Sequence, residues 1–168
     1  MLIKRLDIRG VRNINNASLS PLSDINILYG DNGAGKTSVL EAINLLSTAK
    51  SFRSHKIKTV ISDTSASCLV FGEVELAGLG YQPLGIERSR LPGNSGDMRL
   101  SGKSVKSAAV LAENLPVQVM SADTFRLLEG SPSVRRQFID WGVFHVEHRF
   151  HSVWKNFQRC LKHRNSLL

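Results

Sequence analysis

The sequence predicts an α/β fold in which a strand–loop–helix unit and an antiparallel β-meander are followed by a helical segment. Three observations predict this fold class. A glycine-rich loop near residue 30 joins an apolar run to a helix-periodic one, and strand-like segments separated by turns fill the middle third. After residue 131, apolar residues recur at three- and four-residue steps, which is typical of amphipathic helices. The 168 residues are enough for one domain with a sizeable core.

The glycine-rich loop fits the pattern G-x-x-x-x-G-K-[ST] of the phosphate-binding loop of NTPases. Its eight residues are Gly30, Asp31, Asn32, Gly33, Ala34, Gly35, Lys36 and Thr37. The glycines allow positive φ and bring bare N–H groups against phosphate, with Asn32 and Ala34 as further backbone donors. We therefore expect a nucleoside triphosphate with Mg²⁺, with Lys36 reaching the β- and γ-phosphates and the Thr37 hydroxyl holding the metal.

The segments on both sides of the loop support this interpretation. Residues 24–29 read DINILY and are predicted to form a buried strand. Residues 37–50 are predicted to form a helix, with Val39, Leu40, Ile43 and Leu46 at helical spacing. The positive end of that helix dipole would face the same anion as the loop. The alternative is a glycine-rich turn before an ordinary helix.

Alternating patterns predict the strands around this unit. Residues 2–9 form a predicted strand with Leu6 and Ile8 on one face, ended by Gly10. A turn at the asparagines of residues 13–16 would lead to a short strand over residues 17–22. Residues 68–76 and 81–90 form a predicted antiparallel pair, with Gly72 as a possible bulge, and residues 98–105 form two short strands.

Two stretches of the meander imitate ATPase motifs. Residues 100–104, LSGKS, begin like the LSGGQ signature of ABC ATPases but lack its second glycine and its glutamine, so we expect a hairpin turn. Residues 70–73, VFGE, lack the aspartate that a Walker B strand places on Mg²⁺. Beyond them, residues 108–115 read as a helix and residues 117–120 as a strand. A capped helix between residues 121 and 128 is closed by Gly130.

Composition and charge narrow the class of protein. Apolar residues make up 42% of the chain, which is typical of a folded protein. The formal net charge of +8 favours an anionic partner such as nucleic acid over a basic surface with no partner. Cys68 and Cys160 form no C-x-x-C pair, so no disulfide framework or zinc site is predicted. Neither a signal peptide nor a membrane span is recognisable, and we expect a cytoplasmic protein without a membrane partner.

The helical segment, residues 131–168, starts at Ser131-Pro132 and forms one or two amphipathic helices, with a bend predicted near Gly142. It carries two acidic residues and seven basic ones, namely Arg135, Arg136, Arg149, Lys155, Arg159, Lys162 and Arg164. This basic face either follows a phosphate backbone or is simply solvated. The basic loop of residues 51–56 either contacts the nucleotide or DNA or is a solvated linker. His145, His148 and His151 do not match a zinc spacing and are expected at the aromatic edge of the helix.

Several of these stretches together resemble the RecF family of bacterial recombination-repair ATPases. They are the N-terminal strand with Val11-Arg12-Asn13, the segment GDNGAGKTSVLEAI, Ser51-Phe52-Arg53 and the segment GSPSVRRQFIDW. The resemblance implies an SMC/Rad50-like, ABC-type ATPase lobe with an antiparallel β-meander, followed by the start of a helical arm domain. It also implies ATP-dependent homodimers, binding to single-stranded, gapped or junction DNA, recombination mediator partners and a role in the SOS response. Val11 departs from the aromatic residue usual in the family.

By this resemblance, residues 1–130 are the N-terminal part of the ATPase domain and residues 131–168 the truncated beginning of the arm. Arg12 and Asn13 would lie near the nucleotide, and Gln118 would be a glutamine that senses Mg²⁺ or water. The family's signature motif, Walker B and switch histidine are absent, so we expect an N-terminal fragment that binds MgATP but is not catalytically competent alone. Two alternatives are a non-catalytic DNA- or partner-binding module and a small P-loop kinase or GTPase. The latter needs an NKxD-like motif, which the sequence lacks.

Overall fold

The structure is a computed structural model that describes every residue except 22, 23, 77, 79, 92–95, 122, 123, 125, 148 and 168. The chain divides into two compact units, Met1–Val119 and Met120–Leu168. The first unit carries a sheet and the glycine-rich loop, and the second is helical. The predicted α/β class with an antiparallel meander is confirmed.

The first unit is built on one antiparallel sheet with the strand order β2-β1-β3-β4-β5-β6. Its strands are β1 (Leu2–Val11), β2 (Ile14–Leu19), β3 (Ser67–Leu76), β4 (Gly80–Ser89), β5 (Met98–Leu100) and β6 (Lys103–Ser104). Helix α1 (Lys36–Thr48) lies against β1, β3 and β4, and helix α2 (Ala108–Asn114) packs on α1. A 3₁₀ turn, Ile57–Thr59, precedes β3.

The core lies between one face of this sheet and α1. Leu6 and Ile8 of β1 are buried while Arg5 and Arg9 are exposed, which confirms the predicted faces of the first strand. Residues of the other strands and of both helices complete the core, namely Val70, Val74, Leu84, Ile86, Leu45, Leu46, Leu111 and Leu115. Burial of these side chains is the main force that holds α1, and the loop before it, on the sheet.

Gly72 lies in the middle of β3, where it pairs regularly with Leu6 and Leu84. The predicted bulge at this residue is wrong, because the irregularity lies on β1, between Ile3 and Arg5. A Cβ atom at position 72 would lie 2.7 Å from Cδ2 of Leu46. The glycine therefore serves the close approach of α1 to the sheet.

This close approach predicts a difference between two glycines of the same sheet. Gly72→Ala should lower the free energy of unfolding by about 1–3 kcal/mol, because the added methyl group overpacks the contact with α1. Gly85 on β4 pairs with Phe71, and a Cβ there meets nothing within 4 Å. Gly85→Ala should therefore be neutral or stabilising by up to about 1 kcal/mol. Urea unfolding measures both; equal losses would contradict the packing explanation.

Residues 24–29 form no strand, so the predicted strand before the loop is wrong in this structure. Sheet pairing does not extend to this segment, and the side chains of Ile27 and Tyr29 are 80% and 92% exposed. An apolar run shows that a segment is suited to burial, but a strand also needs a neighbouring strand to complete its ladder. Residues 117–120 are likewise irregular rather than a strand, and Met120 is exposed.

Other sequence predictions differ from the structure in detail. Strand β1 runs through Gly10 to Val11, because the glycine takes φ +63° within the strand. The turn to β2 is Arg12–Asn13 alone, and Asn15 already belongs to β2. The LSGKS stretch is confirmed as the β5–β6 hairpin, in which Ser101 and Gly102 have φ 50° and 79°. Such a pair of positive φ angles is typical of a type I′ turn.

The second unit contains helices α3 (Arg126–Glu129), α4 (Pro132–Val146) and α5 (Phe150–Ser166). Proline stands in the first turn of α4, as predicted. The chain leaves α4 at Glu147 and not at Gly142, which is helical; the predicted bend is thus wrong in position. His145 and His151 contact aromatic rings, as expected, whereas His148 and part of the capped helix predicted between residues 121 and 128 lie outside the described residues. In the part of the chain that is described, no helix combines the length and apolarity needed to cross a membrane.

Candidate nucleotide site

The backbone of the glycine-rich loop takes the conformation that its glycines allow. Gly30, Gly33 and Gly35 have φ angles of 139°, 87° and 98°. An L-residue is strained in this region, so the loop depends on glycine at these positions. Gly35 is the N-cap of α1 and makes no side-chain cap. The loop therefore ends at a helix N-terminus whose first N–H groups and dipole favour an anion.

Lys36 is folded back over the loop. Its Nζ donates hydrogen bonds to the carbonyl oxygens of Gly30 and Asp31, each at 2.7 Å. The Ala34 N–H donates to the Asp31 carbonyl at 3.2 Å, which closes a turn inside the loop. The Thr37 side chain is exposed in the first turn of α1. A cation and a hydroxyl thus lie beside the positive end of the helix, which is the donor set that a phosphate with a bound divalent cation requires.

Asn13 joins the β1–β2 turn to the loop. Its Nδ2 donates to the Gly33 carbonyl at 2.6 Å, and its Oδ1 accepts from Ser38 Oγ at 2.8 Å. The amide thereby connects the middle of the loop to the first turn of α1. Its two ends have opposite hydrogen-bonding character, so the two contacts fix the orientation of the side chain.

Arg12, the neighbour of Asn13, pairs with a buried carboxylate. Its Nε and Nη2 donate to the two carboxylate oxygens of Glu41 at 2.9 and 2.8 Å, and the Glu41 side chain is 0% exposed. Ser51 Oγ also donates to Glu41, and Arg53 Nη1 lies 3.8 Å from it. Glu41 therefore connects three segments: the β1–β2 turn, α1 and the loop after α1.

The protonation state of Glu41 follows from these contacts. Burial alone would raise the pKa of the carboxyl, but the hydrogen bonds from Arg12 and Ser51 outweigh it and hold the pKa below its ordinary value. The hydrogen bond to Glu41 raises the pKa of Arg12. The pair is consequently an ionised salt bridge with two parallel, charge-assisted hydrogen bonds, which are stronger than hydrogen bonds between neutral groups.

The structure places Asn13 in contact with the glycine-rich loop, and Arg12 is the residue before it in the chain. Gln118 has no described hydrogen bond to the loop; it is exposed and donates to the neighbouring Val119 carbonyl at 3.4 Å. Its role as a metal-sensing glutamine stays a prediction. Among the described residues, no group of three or more His, Cys, Asp or Glu residues could hold a metal ion.

The sequence interpretation missed Ser38 and Glu41. Both are buried on the sheet-facing side of α1, with Leu45 on the same face. Positions 38, 41 and 45 are spaced by three and four residues, so a carboxylate on this apolar face was the available signal. A buried carboxylate needs a partner, and here the partner lies 29 residues earlier in the chain.

The sequence model of the family described as RecF/RecN/SMC N terminal domain matches residues 2–125, and the chain belongs to this family. Among its relatives is DNA replication and repair protein RecF of Stutzerimonas stutzeri, 54% identical over 170 residues. RecF of Pseudomonas syringae pv. tomato is 54% identical over 168 residues. Both matches cover 100% of this chain and 45% of the relative, so the chain spans about half the length of these relatives.

Solved structures agree with the sequence relatives. The recombination mediator protein RecF-ATP of the RecFOR pathway has a TM-score of 0.85 at 25% identity, with 98% of this chain and 44% of that chain covered. A structure from work on ATP-driven dimerization and DNA-stimulated activation of SMC ATPases has a TM-score of 0.64 at 19% identity. That match covers 83% of this chain and 98% of the other, and it shows the fold alone. The resemblance to the N-terminal half of RecF is thereby confirmed.

Proposed function

We propose that the chain is the nucleotide-binding lobe of an ATP-dependent DNA replication and repair protein of the RecF type. The single observation that carries this proposal is the loop at the start of α1. Three glycines with positive φ lead into the helix, and Lys36 lies across the loop backbone. The proposal is supported by relatives that are named DNA replication and repair proteins and by the likeness to a structure of RecF with ATP.

Residues 30–37 would bind the phosphates of ATP. In this proposal the backbone N–H groups and Lys36 neutralise the phosphate charge, the Thr37 hydroxyl holds Mg²⁺, and Gln118 senses the metal or its water. The bound metal would supply charge neutralisation at the phosphates. The sequence has no Asp-Glu pair that could form a Walker B motif. We therefore expect this chain alone to hydrolyse ATP very slowly or not at all.

A second feature suggests that further protein normally covers this lobe. An open groove of about 440 Å³ lies between β1, α1 and the segment before the loop. Its apolar lining includes Ile27, Leu28, Leu40 and Ile43. In a parallel sheet, a strand is buried on both faces and is mostly apolar, as is the second half of this segment, Ile27-Leu28-Tyr29. We propose that this segment completes a sheet with a strand supplied by the rest of the ATPase domain, of which residues 1–130 are the first part.

The wider role is proposed on the same basis. The complete protein would bind single-stranded, gapped or junction DNA in the cytoplasm, dimerise on ATP and act with recombination mediator partners in repair and the SOS response. The similar RecF structure is of a recombination mediator in the RecFOR pathway, and the SMC structure comes from work on ATP-driven dimerization. The net charge of +8 suits a DNA partner. Residues 131–168 would begin the arm domain.

The test is MgATP binding by this chain, measured by isothermal titration with Lys36→Ala as the variant. We expect Lys36→Ala to weaken binding by about 10- to 100-fold, because a charge-assisted hydrogen bond to phosphate contributes about 1.5–3 kcal/mol. Lys58→Ala, at an exposed lysine outside the loop, should leave the affinity unchanged. Equal affinities of all three proteins would contradict the assignment of residues 30–37 as the phosphate-binding loop. Rapid ATP hydrolysis by this chain alone would contradict the expectation that it is not catalytically competent.

The second candidate is a non-catalytic DNA-binding module, which helix α5 favours. This helix carries Lys155, Arg159, Lys162 and Arg164, has no acidic residue and is exposed along most of its length. Such a helix can follow a phosphate backbone without any nucleotide. DNA binding that is identical in wild type and in Lys36→Ala, with and without MgATP, would favour this module over a nucleotide-coupled lobe.

A further inference from the structure

The turn between β1 and β2 is strained but strongly held. Arg12 has φ +52°, a left-handed conformation that is uncommon for residues other than glycine. Its N–H donates to the Val60 carbonyl at 2.7 Å, and its guanidinium is held by both oxygens of Glu41. Strain of this kind persists only where the surroundings over-determine it, and it is concentrated at functional sites.

The strained turn presents the next residue, Asn13, to the glycine-rich loop. The Gly33 carbonyl accepts from Asn13 Nδ2, and Ser38 Oγ donates to Asn13 Oδ1. A carbonyl oxygen that turned toward a phosphate would repel it. In this structure the Gly33 carbonyl oxygen instead accepts the hydrogen bond from Asn13 in the β1–β2 turn. The position expected for a Cβ at Gly35 lies 3.4 Å from Asn13 Nδ2, so the side chain also packs against the loop.

We propose that Asn13 is a positioning residue for nucleotide binding: held in place by the Arg12–Glu41 pair, it fixes the loop at Gly33 in the conformation that accepts phosphate. This inference rests on the proposed function, because it concerns the same loop. It assigns Asn13 an indirect role, in which the amide acts on the loop backbone and not on the nucleotide.

The first test compares Asn13→Ala with wild type in MgATP titrations. We expect affinity to fall about five- to tenfold, the worth of one or two hydrogen bonds between neutral groups. Magnesium tripolyphosphate, which has no base or ribose, should lose affinity by the same factor, because the defect lies in the phosphate loop. Asn16→Ala is the matched control, since Asn16 is an exposed asparagine of the neighbouring strand β2. It should bind like wild type.

A second variant separates positioning from a general loss of structure. Asn13→Asp keeps the acceptor for Ser38 but cannot donate to the Gly33 carbonyl while ionised, so it should bind more weakly than wild type at about pH 7.5. Protonation of the carboxyl restores the donor. The ratio of the Asn13→Asp and wild-type dissociation constants should therefore shrink as the pH falls toward about 4, near the ordinary pKa of an aspartate. A merely destabilised protein would show no such recovery.

The outcomes distinguish the inference from the proposed function. If wild type binds MgATP and Lys36→Ala weakens binding, the proposed function stands. If Asn13→Ala and Asn13→Asp then bind like wild type near neutral pH, the positioning role is overturned. If wild type itself fails to bind MgATP, the proposed function fails first. Should Asn13→Ala fail to fold, Ser38→Ala, which removes only the second contact, should still weaken binding about two- to fivefold; unchanged binding would overturn the inference.

Discussion

Replacing Glu41 by alanine is expected to lower the free energy of unfolding by about 3 kcal/mol at neutral pH. Removing one partner of a buried ion pair leaves the other charge uncompensated, which costs about 3–5 kcal/mol. The lower end applies because the Arg12 side chain is 24% exposed and keeps some contact with water. Urea unfolding followed by circular dichroism measures the loss. Glu113→Ala, at an exposed glutamate on α2, is the matched control and should stay within about 0.5 kcal/mol of wild type.

The same pair predicts a pH dependence with a definite sign. Because the pKa of Glu41 is lowered in the folded protein, its contribution is fully present above its ordinary pKa, about 4.3. The contribution is lost as the pH falls from there through the folded value. Glu41→Gln removes this titration and should flatten the decline relative to wild type. The pKa values of Asp7 and Asp97 are also lowered, but both residues remain in the two proteins, so the difference isolates Glu41. Parallel curves would contradict an ionised Glu41.

Leu46→Ala is expected to destabilise the chain by about 2–5 kcal/mol, the range for a fully buried leucine. Leu46 is 0% exposed and lies on α1 where the helix approaches Gly72. Leu40 on the same helix is 49% exposed, so Leu40→Ala should cost less than about 1 kcal/mol. Urea unfolding of both variants measures the contrast. Equal losses would show that α1 is not anchored through its Leu46 face.

A double variant tests the contact itself. Leu46→Ala leaves space at the point where an added Cβ on Gly72 would otherwise collide. The loss from Gly72→Ala should therefore shrink or vanish in the Leu46→Ala background, because residues in direct contact are not additive. Strictly additive losses would contradict the close approach of helix and sheet.

The sequence predicted the parts of the fold that depend on local pattern. Alternation identified β1, β3 and β4, helical spacing identified α1, and the Ser101-Gly102 turn identified the β5–β6 hairpin. The glycine-rich loop was recognisable because its chemistry requires specific residue types at fixed spacing.

Features that depend on tertiary partners were beyond the sequence interpretation. The apolar residues of segment 24–29 show that it is suited to burial. Ile27 is nevertheless exposed, because no strand in the described part of the chain pairs with this segment. Gly72 resembles a bulge in the sequence because nothing local reveals that α1 approaches it. The Arg12–Glu41 pair joins residues that are 29 positions apart, and Asn13 reaches the loop across 20. Such contacts follow from the packing of α1 on the sheet.

The order of the strands also has a kinetic consequence. The β1–β2 and β3–β4 pairs are hairpins of neighbouring segments, whereas β1–β3 pairing must close a long stretch of chain that contains α1 and the glycine-rich loop. Closing a long loop has an entropic cost that is met before its contacts form, so hairpins form early and this closure is slow. Helix α1, into which the glycine-rich loop leads, packs on β1, β3 and β4, so its place on the sheet is complete only after this closure. A ligand of the loop would therefore recognise the chain only after the slow step, and would retard unfolding without accelerating refolding.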